Sequence, residues 1–159
     1  EKGEAVKETP ECTVDLGISA FIPERYIKRP AGRIEMYKRI SEIKTKADAD
    51  DVADELSDRY GEIPKETKNL LVIASIRARA SALGILRIEY KNGKLAVYPG
   101  TPPTKEQSVA LAMKFPGKVL TSLGKNPCYN IKAESVEGIG TVLEEIFKIY
   151  SPNKPDSVV

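Results

Sequence analysis

The sequence predicts an α+β fold, on three observations. Strand-like and helix-like segments fall in separate blocks instead of alternating along the chain. Three consecutive amphipathic helical segments follow the first strand, with no strand signal between them. Asn92-Gly93 then stands between two runs of alternating apolar residues, the strongest short-range hairpin signal. The order of elements is one strand, three helices, a hairpin, a helix, two short strands and a last helix. The second half, ββαββα, suits a four-stranded antiparallel sheet covered by helices.

Residues 1–10 are polar and acidic without lasting periodicity and read as a tail or linker. Cys12, Val14, Leu16, Ile18 and Ala20 alternate with polar or small residues, the period of a half-buried strand. Pro23 ends it, and Lys28-Arg29-Pro30 is a charged turn. Residues 31–44 are helical: Ile34, Tyr37, Ile40 and Ile43 recur every third residue, and Met36 widens the face. Arg33, Lys38 and Arg39 are assigned to the outside. Asp48 is the expected N-cap of the second helix.

That second helix carries the most informative pattern. Val52, Leu56 and Tyr60 fall four apart on one stripe, and Asp51, Glu55, Asp58 and Glu62 on another. Arg59 borders the acidic stripe, four residues after Glu55. A solvated face and a face that docks on a basic partner both fit this pattern. Gly61 is placed to end the helix. Pro64 suits the first turn of a third helix, which runs to Leu83 and is alanine-rich and broad in its apolar arc, with Arg77 and Arg79 pointing off it.

Beyond the hairpin, Thr104 is the expected N-cap of a helix ending at Lys114, whose Val109, Leu111, Ala112 and Met113 supply apolar surface. Residues 118–121 and 127–132 are short strands joined by the Gly124-Lys125-Asn126 turn. Residues 135–150 form the last helix, with Val142, Leu143, Ile146, Phe147 and Tyr150 on one side. Residues 151–159 are a tail.

Composition bounds the chemistry. The 159 residues are 41% apolar and 30% charged, with net charge +2. Such a balance gives no electrostatic argument for nucleic-acid binding. No apolar run reaches the roughly 20 residues of a membrane span. The acidic N-terminus has no apolar signal segment, so a cytoplasmic location is expected. Histidine is absent, which removes the commonest general base and metal ligand together. Cys12 and Cys128 stand alone, outside any metal-ligand spacing; reduced thiols are the default, and a disulfide between them stays open. No phosphate-binding glycine loop is present. No catalytic residue, cofactor or metal is therefore assigned to this chain.

Three blocks carry a family resemblance: Val14-Asp15-Leu16-Gly17-Ile18, with Ala20 to Ile27; Arg33-Ile34-Glu35-Met36-Tyr37-Lys38-Arg39-Ile40; and Glu55-Leu56-Ser57-Asp58-Arg59-Tyr60-Gly61-Glu62-Ile63-Pro64, followed by a leucine-rich helix and Leu83-Gly84-Ile85. Together they resemble the C-terminal domain of the bacterial transcription-repair coupling factor, the Mfd family. The resemblance spans residues 11–150 and is densest in the first 90. It implies a helical part over 11–84 and a sheet-helix part over 85–150.

The resemblance also implies a function. The parent is a cytoplasmic, ATP-driven DNA translocase that displaces stalled RNA polymerase and recruits UvrA for nucleotide excision repair. ATP and magnesium belong to its motor domains only. The C-terminal domain is a non-catalytic, autoinhibitory module. It packs on the N-terminal UvrB-like module of the same protein and covers the UvrA-recruiting surface. The motif positions for that contact fall here on Glu55, Asp58 and Arg59. A monomer with no membrane contact is expected, and the resemblance implies that it reaches UvrA, RNA polymerase and DNA through the parent. Two alternatives stand beside it. One is nucleic-acid contact through the basic first third (Arg25, Lys28, Arg29, Arg33, Lys38, Arg39). The other is a stand-alone small-molecule or enzymatic domain.

Overall fold

A computed structural model of the chain describes residues 11–151. The order is β1 (Thr13–Asp15), α1 (Pro30–Ser41), α2 (Lys46–Tyr60), α3 (Lys65–Ala82), β2 (Ile85–Lys91), β3 (Lys94–Pro99), α4 (Lys105–Lys114), β4 (Val119–Ser122), β5 (Cys128–Lys132) and α5 (Val136–Tyr150). The α+β class and the element order expected from sequence are those observed. The chain divides into two compact units. Gly17–Arg79 forms a helical unit, and residues 11–16 together with 80–151 form a sheet unit.

In the helical unit, Ile22, Ile27, Met36, Ile40, Ile43, Val52, Leu56 and Ala74 make one buried cluster, with Tyr26, Tyr60, Ile63, Leu70 and Leu71 packed against it. The core face of α1 differs from the expected one. Met36, Ile40 and Ile43 are buried, whereas Ile34 is 69% exposed. The reason is geometric: steps of three residues drift by about 60° each on a helix of 3.6 residues per turn, so a third-residue series leaves the core. The i, i+4, i+7 series stays on it.

The start of α2 is also corrected. Thr45 is the N-cap, accepting from the Asp48 backbone N–H at 3.1 Å, while the Asp48 carboxylate accepts from the Thr45 N–H at 3.1 Å. Asp48 is thus the N3 partner in a capping box, not the cap. Its carboxyl is held below the ordinary range by the backbone N–H groups of Lys44 and Thr45. Gly61 stops the helix at φ +90°, ψ −159°, a region essentially reserved for glycine. Glu62 therefore lies beyond the helix and outside the acidic stripe.

Buried Thr67 on α3 donates from its hydroxyl to the Phe21 carbonyl at 3.0 Å, and the Phe21 N–H donates to the Glu66 carbonyl at 3.2 Å. These bonds tie the segment before α1 to the first turn of α3. Arg77, expected to point outward, is half-buried and donates to the Ile40 carbonyl at 3.5 Å.

The sheet unit holds five strands in the order β1-β2-β3-β5-β4. β1 joins the hairpin edge in parallel, pairing Val14 with Ile88. The sheet therefore has one strand more than the four expected from ββαββα. Asn92 and Gly93 both take positive φ, +53° and +73°, as a tight primed turn requires. A register shift between Ile85 and Arg87 buries Ile85 and leaves Leu86 exposed. Ile88, Leu95, Val97, Tyr129 and Ile131 form the buried face, and α5 contributes Ile139, Val142, Leu143, Ile146 and Phe147 to the core. Thr104 caps α4 as expected, with Gln107 completing the box. Of the apolar residues on α4, Leu111 alone is buried; Val109, Ala112 and Met113 are exposed. Cys12 and Cys128 are buried and form no disulfide.

Candidate docking face on α1 and α2

The local sequence of α1 and α2 places one charge pattern twice. Glu35 and Arg39 stand four apart on α1, and Glu55 and Arg59 stand four apart on α2. Such pairs lie one above the other on a helix face. The structure sets the two pairs opposite each other. Arg39 Nη1 donates to Glu55 Oε1, and Arg59 Nη1 donates to Glu55 Oε2 at 2.9 Å. Arg59 Nη1 also reaches Glu35 Oε2 at 3.4 Å. Glu35, Arg59, Glu55 and Arg39 thus form a charge-alternating ladder across the two helices.

Glu55 is the centre of this ladder. Each of its carboxylate oxygens serves one guanidinium, and its side chain is 27% exposed. The two arginines, Arg39 first, hold its carboxyl below the ordinary glutamate range. Arg59 is driven the other way, upward, by its bonds to Glu55 and Glu35. Its guanidinium lies 5.1 Å from the centroid of the Tyr60 ring, within cation–π range. Arg59 is therefore fixed on several sides while 41% of its side chain stays exposed.

Asp58 is different. It lies one residue before Arg59, is exposed, and has no ion pair among the described residues. Asp51 and Asp54 are also exposed on α2. The structure thus brings Glu55 and Arg59 together and leaves Asp58 beside them as an unengaged carboxylate.

Sequence reasoning missed Glu35 and Arg39, and assigned Arg39 to the outside. The signal was the repeated Glu-x-x-x-Arg spacing in two consecutive helices. Below the ladder, Leu56 and Val52 anchor α2 in the core. The Tyr26 hydroxyl lies 2.9 Å from the Gly61 carbonyl oxygen and 3.1 Å from that of Leu56, so it satisfies the end of the helix. Its ring meets Tyr60 edge-on, with centroids 5.9 Å apart.

Most cations of the basic first third are engaged within the unit. Arg25 bonds Glu66, Arg33 donates to the carbonyls of Ile27 and Lys28, Lys38 pairs with Glu42, and Arg39 is in the ladder. Concavities in this unit include two among the described residues. One, of about 660 Å³, is lined by Arg25, Tyr26, Glu62, Ile63, Pro64, Lys65 and Lys68; the other, of about 260 Å³, lies between Lys44–Asp50 and Ser75–Arg79. Among the described residues no three His, Cys, Asp or Glu side chains gather as a metal site. No helix among them is long and apolar enough to cross a membrane.

Comparison with known proteins agrees with the fold and the motifs. A family model described as the TRCF domain matches residues 16–109. The transcription-repair-coupling factor of Staphylococcus haemolyticus (strain JCSC1435) is 30% identical over 101 residues, covering 64% of this chain and 9% of that protein. The one from Staphylococcus aureus (strain USA300) is 38% identical over 92 residues, covering 58% of this chain and 8% of that protein. The chain thus spans less than one tenth of the length of these relatives. A crystal structure of the C-terminal domain of transcription-repair coupling factor superposes with TM-score 0.78 at 20% identity, covering 94% of this chain and 100% of that one. The chain belongs to the TRCF domain family, found in the transcription-repair coupling factors.

Proposed function

We propose that this domain is a regulatory docking module of a transcription-repair coupling factor and acts through the α1–α2 face. In this reading the parent is an ATP-driven DNA translocase of transcription-coupled nucleotide excision repair. The domain rests on the parent's N-terminal UvrB-like module and masks the surface that recruits UvrA. It performs no catalysis itself.

The observation that supports this reading is the preorganised Glu55–Arg59 pair with Asp58 exposed beside it. A docking surface gains when its charged groups are already held in place, because less side-chain freedom is lost on contact. Glu55 spends both carboxylate oxygens within the domain, so it acts as a positioning residue for Arg59. Asp58 offers its carboxylate to a cationic partner group, and Arg59 offers the remaining donors of its fork. Such contacts set register and partner choice and are weakened by salt. A reversible clamp requires only modest coupling, a few kcal/mol at most.

Titration calorimetry of this domain against the separate N-terminal module tests the reading. Asp58→Ala is expected to weaken docking about tenfold, the scale of one lost charge-assisted contact. Glu55→Ala is expected to weaken it with the fold retained, and Glu55→Gln to restore part of the loss by keeping a hydrogen-bond acceptor for Arg59. Unchanged affinity in both alanine variants would overturn the proposal.

A further inference from the structure

The sheet unit carries a charge feature unrelated to the docking face. Lys91 pairs in register with Lys94 across the hairpin, and Lys94 pairs with Lys132 on β5. The Lys132 N–H donates to the Lys118 carbonyl at 3.0 Å, which extends the row to the residue before β4. Buried Leu95 and Ile131 are the adjacent register pair. Side chains alternate along a strand, so these lysines take the face opposite the core. All four are exposed. With neighbouring strands about 4.8 Å apart, the row spans roughly 14 Å.

Like charges placed directly opposite each other destabilise a sheet, so such a row invites a counter-charge. Among the described residues no carboxylate pairs with it. In the same unit Arg87 pairs with Glu89, and Lys114 and Lys148 pair with Glu145. The four row lysines have no ion pair among the described residues. From Gln107 to Ala133 the sequence contains no Asp or Glu at all. Of the carboxylates two residues along the strand from the row, Glu89 is held by Arg87, and Glu134 is exposed.

We propose that this lysine row binds the phosphate backbone of duplex nucleic acid without reading its sequence. Lysine is a compact point charge on a flexible stem, suited to contacting phosphates wherever they fall. An evenly spaced row of one charge matches a repeating polyanion better than a protein segment of mixed side chains. No aromatic side chain stands in the row, so the stacking platform of a single-strand binder is missing.

Fluorescence anisotropy of the 159-residue chain with a labelled, mixed-sequence DNA duplex tests this. Between about 50 and 200 mM salt, log K is expected to fall against log salt with a slope of about −3 to −4, the value for four neutralised phosphates. Replacing Lys91, Lys94, Lys118 and Lys132 by Gln is expected to weaken binding at least about tenfold at the lower salt and to flatten the slope by the same count. The paired variants K91Q/K94Q and K118Q/K132Q should each remove about half the slope, which guards against a fold defect in the quadruple variant. K28Q/R29Q should leave it unchanged. A chain that fails to bind the duplex, or row variants that keep the full slope, would overturn the proposal. So would a row that captures polyglutamate in preference to the duplex, because the partner would then be an acidic protein.

Discussion

Replacing Leu56 by Ala probes the core beneath the proposed docking face. Leu56 is fully buried, in one cluster with Met36 and Ile40 of α1, Val52 of α2 and Ala74 of α3. The substitution removes three carbons, at about 0.8 kcal/mol for each buried methylene. The surrounding helices close only partly on the space left, so the loss rises to about 3 kcal/mol. A unit of about 60 residues holds roughly 3–9 kcal/mol in total, at 0.05–0.15 kcal/mol per residue. The variant is therefore close to unfolding in its helical unit. The assay is urea denaturation followed by far-UV circular dichroism, since the chain has no tryptophan and the helical unit supplies most of its helix. Two compact units allow two transitions, and the earlier one is expected to shift. A loss below about 1 kcal/mol would refute the packing argument, because Leu→Ala at a fully enclosed site costs 2–5 kcal/mol.

Two further outcomes follow from the same unit. Thr45→Ala removes the oxygen that accepts from the Asp48 N–H and is expected to cost about 1 kcal/mol in the same denaturation experiment. Glu55 has a carboxyl pKa below that of the unfolded chain, so its contribution is present above about pH 4.3 and is lost as pH falls through the folded value. Thermal melts from neutral to acid pH should show wild type and Glu55→Gln converging below about pH 4, and a constant gap across that range would contradict the ladder.

The sequence carried the element order because each local signal was strong on its own. Asn92-Gly93 permits positive φ at both turn positions, and Thr104 with Gln107 satisfies helix-start N–H groups without any tertiary contact. What local signals lack is direction in space. Ile34 and Ile40 are the same residue type, and only the 100° step between successive residues separates the exposed one from the buried one. β1 was legible as a strand, but its parallel partner β2 lies more than 70 residues away, and such pairing leaves no local trace. The site shows the same limit. Glu55, Asp58 and Arg59 were chosen by their place on one helix and by the motif of the family resemblance. Arg39 and Glu35 belong to the other helix, and their role appears only when the two helices are side by side. The acidic stripe is consequently less acidic than its sequence, since Glu55 is matched twice and Glu62 has left the helix, while Asp58 remains available.

The proposed docking is tested most directly in the full-length parent. UvrA binding to that protein, measured with wild type and with an Asp58→Ala/Arg59→Ala double variant, compares a closed clamp with a weakened one. Masking predicts that the double variant binds UvrA more tightly, by the factor lost in domain docking, because the two equilibria are linked. Equal UvrA affinity in the two proteins, with docking shown to be weakened, would contradict the account.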